Sequence, residues 1–500
     1  MKFYITITCI FFNFISPVCA QINVEFPYSR LVFQRNILGK GEVLVSGYSE
    51  MTADIIQARL LPFAVATGRA TDWVNCYKSK VDPPQNFSVV LQATQGWYNL
   101  QVRVIKDAVI VADTTILRVG IGEVFLIAGQ SNAQGQMLKE SRGSSDPYGR
   151  VGVFASYDEY MDSPSFNAQP MFNDINIYPV GMTSWCWAEL GDKIAKRLNV
   201  PVFFLNAAWS GTDSESWAVS IDSSGTHDQN RKYIPYGFLH RSIQFYRNVL
   251  GLRAVLWHQG EADSFRNNLN ASGVPIDYFG NMQKVIAASK EQAGSQLAWV
   301  ISQASLTYGI KDSLIIAAQR RLAIELPGVF AGPYTDTLTD ARLDGVHFTN
   351  EFNKKGLSRL ADAWNQALDS TFFQSAVPML PNFGKHAFVL DNGKVLAPSG
   401  FASKGRASGK KSFAFITDTS GNYYASPLLL CGIKPRPSNN QLKYGVLSEI
   451  TNSRITKQVI LNNKVTASNN VIYSRESIVL NPGFVAESPT TFTAEIGGCY

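Results

Sequence analysis

The stretch Phe125-Leu126-Ile127-Ala128-Gly129-Gln130-Ser131-Asn132 decides how the chain is read, because an apolar run stops abruptly at a hydroxyl. A short, continuously apolar run is the pattern of a strand buried on both faces, and Val124–Ala128 fits it. Further runs of this kind follow at Val202–Ala207, Ala254–Trp257, Leu297–Ser302 and Val329–Ala331. Helical patterns lie between and after them, at Trp185–Leu198, Phe238–Val249, Tyr278–Ala293, Ser313–Leu326 and Lys354–Ala367. Strand and helix in alternation predict an α/β fold whose parallel sheet is covered on both faces. In such a sheet reactive groups gather beyond the carboxyl ends of the strands, and Ser131 stands at one.

On either side of this core the pattern changes. From Gln21 to about Gly120 short runs such as Arg30–Gln34, Glu42–Gly47, Phe87–Leu91 and Trp97–Val104 are separated by turn residues. The last of them alternates apolar and polar positions, and the whole predicts a β-sandwich. After Pro378 helical periodicity is lost, and the tail from Gln458 breaks into short strands between Asn-Asn and Pro-Gly turns, as in stacked rungs. The first twenty residues, MKFYITITCIFFNFISPVCA, carry Lys2, an apolar stretch and then Val18-Cys19-Ala20, which predicts a signal peptide cut after Ala20. The expected organisation is therefore a signal peptide at 1–20, a β-sandwich at 21–120, the α/β domain at 121–375 and a β-rich region at 376–500.

Composition narrows the function. No later segment approaches the ~20 apolar residues of a membrane span, so an exported protein free of the membrane is expected, in the periplasm, at the cell surface or outside. The net charge of +6 on 500 residues is not gathered into long basic runs, which argues against nucleic acid as a partner. Cleavage would leave Cys76, Cys186, Cys431 and Cys499, whose spacing matches no zinc pattern and does not select one disulfide pairing. No metal or cofactor is expected, and nothing in the sequence sets an oligomeric state.

A serine hydroxyl becomes a nucleophile only when an oriented base takes its proton, and histidine is the usual base. The chain has five: His227, His240, His258, His347 and His386. His347 lies in Asp344-Gly345-Val346-His347, beyond the last strand, where Asp344 can face Nδ1 and leave Nε2 for Ser131. Donors for an oxyanion are expected from the Ser131 amide, from Gly211 in Asn206-Ala207-Ala208-Trp209-Ser210-Gly211-Thr212, and from the side chain of Gln259 in His258-Gln259-Gly260-Glu261-Ala262-Asp263. His258 reads as structural and Asp263 as a helix cap. Trp209 and Trp217 fit a sugar-facing wall and core packing equally well.

These four blocks, in this order, resemble those of the SGNH hydrolase superfamily, and most of all its sialate O-acetylesterase-like and acetylxylan-esterase-like carbohydrate esterases. The resemblance runs from Ile121 to Phe373. It implies a three-layer α/β/α, flavodoxin-like domain without cofactor, and hydrolysis of acetyl esters on sugars such as sialic acid or xylan. By position it implies Ser131 as nucleophile, His347 as base and Asp344 as its orienting acid, with Glu261 as the competing acid. Ser131, Gly211 and Gln259 take the oxyanion hole, and Gln130, Asn132, Trp209 and Thr212 are the candidates for substrate contact. The tail resembles small terminal β-modules of exported bacterial proteins. Two rival functions fit the same features: a carbohydrate-binding or surface-attached protein with a vestigial centre, and a lipase or thioesterase of the same superfamily.

Overall fold

The computed structural model describes residues 22–383 apart from 64–67, 79–84, 138, 162–164, 223–232, 270–272 and 294–295, together with a set of short strands further on. The N-terminal strands are β1 (Ile22–Phe26), β2 (Val32–Gln34), β3 (Lys40–Ser49), β4 (Ile55–Pro62), β5 (Val74–Asn75), β6 (Tyr77–Lys78), β7 (Gln85–Thr94) and β8 (Gly96–Lys106). They form one four-stranded sheet, β1-β3-β7-β6, and an antiparallel ladder of β4 and β8 against β9 (Val109–Gly129). The second sheet does not stop there. β9 continues into the centre of the α/β sheet, so one strand crosses the expected 120/121 boundary without a break.

Two glycines in that crossing explain the misleading signal. A Cβ on Gly120 would lie 2.3 Å from the Trp97 ring, and one on Gly122 would lie 2.0 Å from the Pro201 carbonyl oxygen. They admit neighbours; they do not mark a turn. The strand bends instead at Leu117 and Arg118, where two residues oppose Asn99 and Arg118 takes φ +59°. The Asn99 side chain accepts the hydrogen bond of the displaced Arg118 amide at 3.2 Å.

The remaining sheet strands are β10 (Val151–Phe154), β11 (Ala168–Pro170), β12 (Val202–Asn206), β13 (Ala254–His258), β14 (Ala298–Gln303) and β15 (Val329–Tyr334). Their order is β11-β10-β12-β9-β13-β14-β15, parallel throughout except for the edge strand β11. The expected parallel sheet is thus a mixed one with an antiparallel edge. The order in which strands are added reverses at β9: β12 adds on one side and β13 to β15 on the other, which places the end of β9 at the switch point of the sheet.

Helices cover both faces. α1 (Ser131–Gln134) follows β9, and α2 (Trp187–Leu198), α3 (Ser214–Val219), α4 (Tyr236–Leu250), α5 (Glu261–Leu269), α6 (Tyr278–Ala293), α7 (Ser313–Glu325), α8 (Gly356–Ala367) and α9 (Ser370–Ser375) come after it. Alternate residues of each strand feed opposite cores. Phe125, Ile127, Phe204, Leu256 and Val300 pack with Trp187, Leu190, Leu360 and Trp364 of α2 and α8. Leu126, Ala128, Leu205, Trp257 and Ile301 pack with Phe238, Ile243, Met282, Val285 and Leu322 of α4, α6 and α7. Burying side chains of this size stabilises by about 1.5–3 kcal/mol each, which is why continuous apolar strands identify a two-sided core.

Beyond Phe383 the short strands up to Ala425 pair antiparallel, while those of the tail pair in parallel, Gln458–Leu461 with Ser477–Leu480 and Asn470–Ser474 with Phe492–Ile496, as stacked rungs would. The signal peptide, Cys431, Cys499, His227 and His386 lie outside the described residues. Cys76 and Cys186 are buried thiols not bonded to one another. Among the described residues no helix is long and apolar enough to cross a membrane.

One buried charge cluster fastens β2, β9 and β13 together. The Glu123 carboxylate accepts from Arg253 Nε at 2.7 Å and Nη2 at 2.9 Å, from Arg35 Nε at 2.7 Å and from Gln34 Nε2 at 2.9 Å. Arg253 also donates to the Ala376 carbonyl at 2.8 Å. Removing one partner of a buried pair leaves the other charged and dry. Glu123→Ala is therefore expected to lower the unfolding free energy by about 3–5 kcal/mol in chemical denaturation; a loss within the range of surface substitutions would show that the cluster does not hold the strands.

Candidate active site

Ser131 is the first residue of α1, directly beyond β9. The turn that delivers it depends on Gly129, which takes φ +129° and where a Cβ would lie 2.0 Å from the His258 carbonyl oxygen. That same carbonyl accepts the Gln130 amide at 3.0 Å, so the ends of β9 and β13 are locked together just before the hydroxyl.

The structure brings three separated side chains into line. Ser131 Oγ lies 2.8 Å from His347 Nε2, and His347 Nδ1 lies 2.9 Å from Asp344 Oδ2. The local fold of the Asp344 loop explains this pairing. Gly345 takes φ +82°, and Asp344 Oδ1 accepts the amides of Val346 at 3.0 Å and His347 at 2.7 Å, so the turn folds the carboxylate back onto its own histidine. Lys139 Nζ donates to the other oxygen at 3.0 Å. Burial pulls the Asp344 carboxyl upward, but the two amides, the imidazole and Lys139 overcome it and hold it well below the usual carboxylate range. An alcohol, an imidazole and an ionised carboxylate in this order can move a proton off the alcohol.

Glu261, the competing acid, is elsewhere. It is buried, accepts from Asn132 Nδ2 at 2.8 Å, and lies 3.3 Å from His258 Nε2 and 3.7 Å from Arg342. Burial would raise its carboxyl, yet His258, Arg342 and Asn132 together push it down to about 2. Asn132 is the link between this cluster and the triad of side chains. Its Nδ2 donates to the Val346 carbonyl at 3.1 Å and its Oδ1 accepts the Phe348 amide at 3.3 Å, gripping the backbone on both sides of His347. Arg342 Nη1 donates to the same Val346 carbonyl at 3.0 Å.

The loop after β12 faces Ser131. Trp209 donates its amide to the Gly129 carbonyl at 2.9 Å, and Ser210 donates to Gln134 Oε1 at 2.9 Å. Gly211 follows at φ +74° with open space around its Cα, and its amide has no acceptor among the described hydrogen bonds. Gln259, expected to reach the oxyanion with its side chain, is fully buried and gives its Nε2 to the Thr212 carbonyl at 3.2 Å and to Asp263 Oδ2 at 2.5 Å. Gln130 spends its Oε1 on the amides of Gly260, just before α5, and of Ala262 in its first turn. Thr212 Oγ1 donates to the Trp209 carbonyl at 2.6 Å and accepts from Trp217 at 2.9 Å. Trp217 is core, edge-on to Trp257, and half-buried Trp209 packs on Phe238. Of the four candidates for substrate contact, Gln130, Asn132 and Thr212 are therefore committed to protein partners.

Lys139, Gln134 and Arg342 carried no motif that would single them out in the sequence; each acts through contacts closed only in three dimensions. Asp263 does more than cap a helix. It accepts from the Ser214 amide and hydroxyl and from Gln259, and burial pushes its carboxyl up to about 6 against those hydrogen bonds. Among the described residues no group of His, Cys, Asp and Glu is placed to hold a metal ion.

Residues 121–366 match the model of the family described as carbohydrate esterase, sialic acid-specific acetylesterase. No curated protein matches the chain. Among solved structures it is similar to a carbohydrate acetylesterase from Xanthomonas citri, at 14% identity over 81% of this chain and 96% of that one, with a TM-score of 0.43. It is also similar to a protein from Arabidopsis thaliana, at 20% identity over 50% of this chain and 99% of that one, with a TM-score of 0.31. An acetylxylan esterase from Geobacillus stearothermophilus gives 11% identity over 50% and 96%, with a TM-score of 0.29.

Because the folded chain holds the Asp263 proton more tightly than the unfolded chain does, this group favours folding below about pH 4, and its contribution is lost as pH rises through about 6. Asp263→Asn is expected to flatten the fall in stability between pH 4.5 and 7.5 by about 2–3 kcal/mol, read from denaturation curves at the two pH values. Parallel profiles for the two proteins would show that Asp263 is already ionised throughout.

Proposed function

We propose, from the match of residues 121–366 to the family described as carbohydrate esterase, sialic acid-specific acetylesterase, that the protein is an exported enzyme that removes O-acetyl groups from sugars through an acyl-enzyme on Ser131. The observation that carries this reading is the continuous hydrogen-bonded line from Ser131 through His347 to Asp344.

Ser131 Oγ attacks the acetyl carbonyl carbon while His347 Nε2 takes its proton. Asp344 keeps Nδ1 protonated and stabilises the imidazolium that forms. The carbonyl oxygen, now negative, is held by the backbone amides of Ser131 and Gly211, which are preset before the reaction begins. The C–O bond to the sugar then breaks as His347 gives its proton to the departing sugar oxygen. A water, deprotonated by the same imidazole, attacks the acetyl-serine, and collapse returns Ser131 and acetate. Gln259 enters through position: by holding the Thr212 carbonyl it fixes the loop that presents the Gly211 amide. Asn132 and Arg342 play the same part for His347.

Export rests on reading residues 1–20 as a signal peptide cut after Ala20. Sialic acid and xylan are both within this reading. A panel of acetylated glycans assayed for released acetate, with the deacetylated position identified, distinguishes them.

Ser131→Ala and His347→Ala should abolish nearly all acetate release, and Gly211→Ala, which strains the backbone at φ +74°, should lower kcat by about 10²–10³. Acetate released by Ser131→Ala at the wild-type rate would overturn the assignment. Measurable glycan binding without any release by the unaltered protein would point to a vestigial centre instead.

A further inference from the structure

Two large aromatic rings stand largely exposed beside the His347 loop, one of them resting on Gly345. Tyr308 is 64% exposed and Phe265 42% exposed, and their ring centroids are 5.9 Å apart. Phe265 comes from α5 and Tyr308 from the loop after β14, so both rise from the carboxyl edge of the sheet that carries Ser131. Scattered apolar residues on a surface need no explanation; two large rings converging from separate elements at the rim of a reactive centre do.

The backbone under Tyr308 strengthens the point. Thr307 and Ile310 exchange amide hydrogen bonds of 3.0 and 2.9 Å, and the residues between them, Tyr308 and Gly309, take φ +48° and +81°. This is a tight hairpin turn with two left-handed residues, a position that selects Asn-Gly or Asp-Gly. A bulky ring in the first of those positions is a conformational outlier. It contributes little burial in return, because the residue is 64% exposed. The turn is also anchored to the site: Tyr308 donates its amide to the Gly345 carbonyl at 2.8 Å, between Asp344 and His347.

The proposed reaction sets where the sugar must lie. His347 hands its proton to the departing sugar oxygen, so the sugar approaches on the imidazole side of Ser131, away from the Gly211 amide. That side is bounded by the loop to which Tyr308 is fastened. Sugar rings present a face of C–H bonds with hydroxyls at the edge, and an exposed Tyr or Phe receives such a face while its phenol stays wet.

We propose that Tyr308 and Phe265 form a saccharide subsite that holds a ring neighbouring the acetylated one, making the protein selective for acetylated oligosaccharides over single sugars and small esters. The inference rests on the esterase reading and extends it to substrate size.

The test compares 4-nitrophenyl acetate, acetylated xylose and acetylated xylotetraose as substrates of the full chain. Unaltered protein should show a KM for the tetraose at least about tenfold below that for the single sugar. Tyr308→Asn suits the turn better, so it should unfold no earlier than the parent protein; yet its kcat/KM for the tetraose should fall about tenfold further than for 4-nitrophenyl acetate, mostly through KM. Phe265→Ala should act in the same direction, and Tyr308→Trp should restore the oligosaccharide preference. Equal losses on all three substrates would mean that the ring serves the His347 loop and would overturn the subsite, as would an unaltered protein without preference for the longer sugar. No hydrolysis of any substrate by the unaltered protein would sink the esterase reading itself, and the subsite with it.

Discussion

A single carboxylate with no access to water, Glu123, is the constraint on which the architecture turns. Placing a charge there is unfavourable unless every lone pair is used, and Arg253, Arg35 and Gln34 use them. Two of the three donors, Gln34 and Arg35, come from chain before β9 and the third, Arg253, from chain beyond it, so only one register of β2, β9 and β13 satisfies the charge. A greasy cluster of the same volume would tolerate slippage; this one does not. The end of β9, six residues further on, inherits that register, and with it the place of Gly129 against His258 and of Ser131 at the switch point.

Around the serine the polar side chains turn inward. Gln130, Asn132, Gln134 and Gln259 each hold backbone of another loop, so the residues nearest the hydroxyl act as fasteners. This division leaves the exposed part of the site to backbone amides, an imidazole and an aromatic rim. It suits a reaction in which the protein must hold an oxygen that becomes negative only in passing: amides set in place by buried side chains need no reorganisation when the charge appears.

Much of this was legible in the chain and some was not, for physical reasons. Fully apolar strands declared the two-sided core, since nothing else explains five such runs with helices between them. Asp344-Gly345-Val346-His347 carried its own geometry, because the turn closes through local amides. β10 and the edge strand β11, of four and three residues, are too short for periodicity to register. α5, only nine residues and rich in polar ones, was hidden for a related reason. Gly120 and Gly122 lie where the composition shifts, yet they accommodate Trp97 and Pro201 within an unbroken strand. The direction in which Gln259 points depends on Asp263 and Thr212 together, a long-range agreement that no single stretch announces.

The continuity of β9 has a mechanical meaning. Twenty-one residues in one hydrogen-bonded strand reach roughly 65 Å along the chain path, from the outer rim of the N-terminal β region to the foot of Ser131. No swivel interrupts it; the bend at Arg118 is pinned by Asn99. The N-terminal region is thus a fixed arm, not a tethered module that searches by diffusion. Whatever surface or polymer its far end meets, the Ser131 hydroxyl is carried to a set distance and angle from that point, as a tool is by its handle.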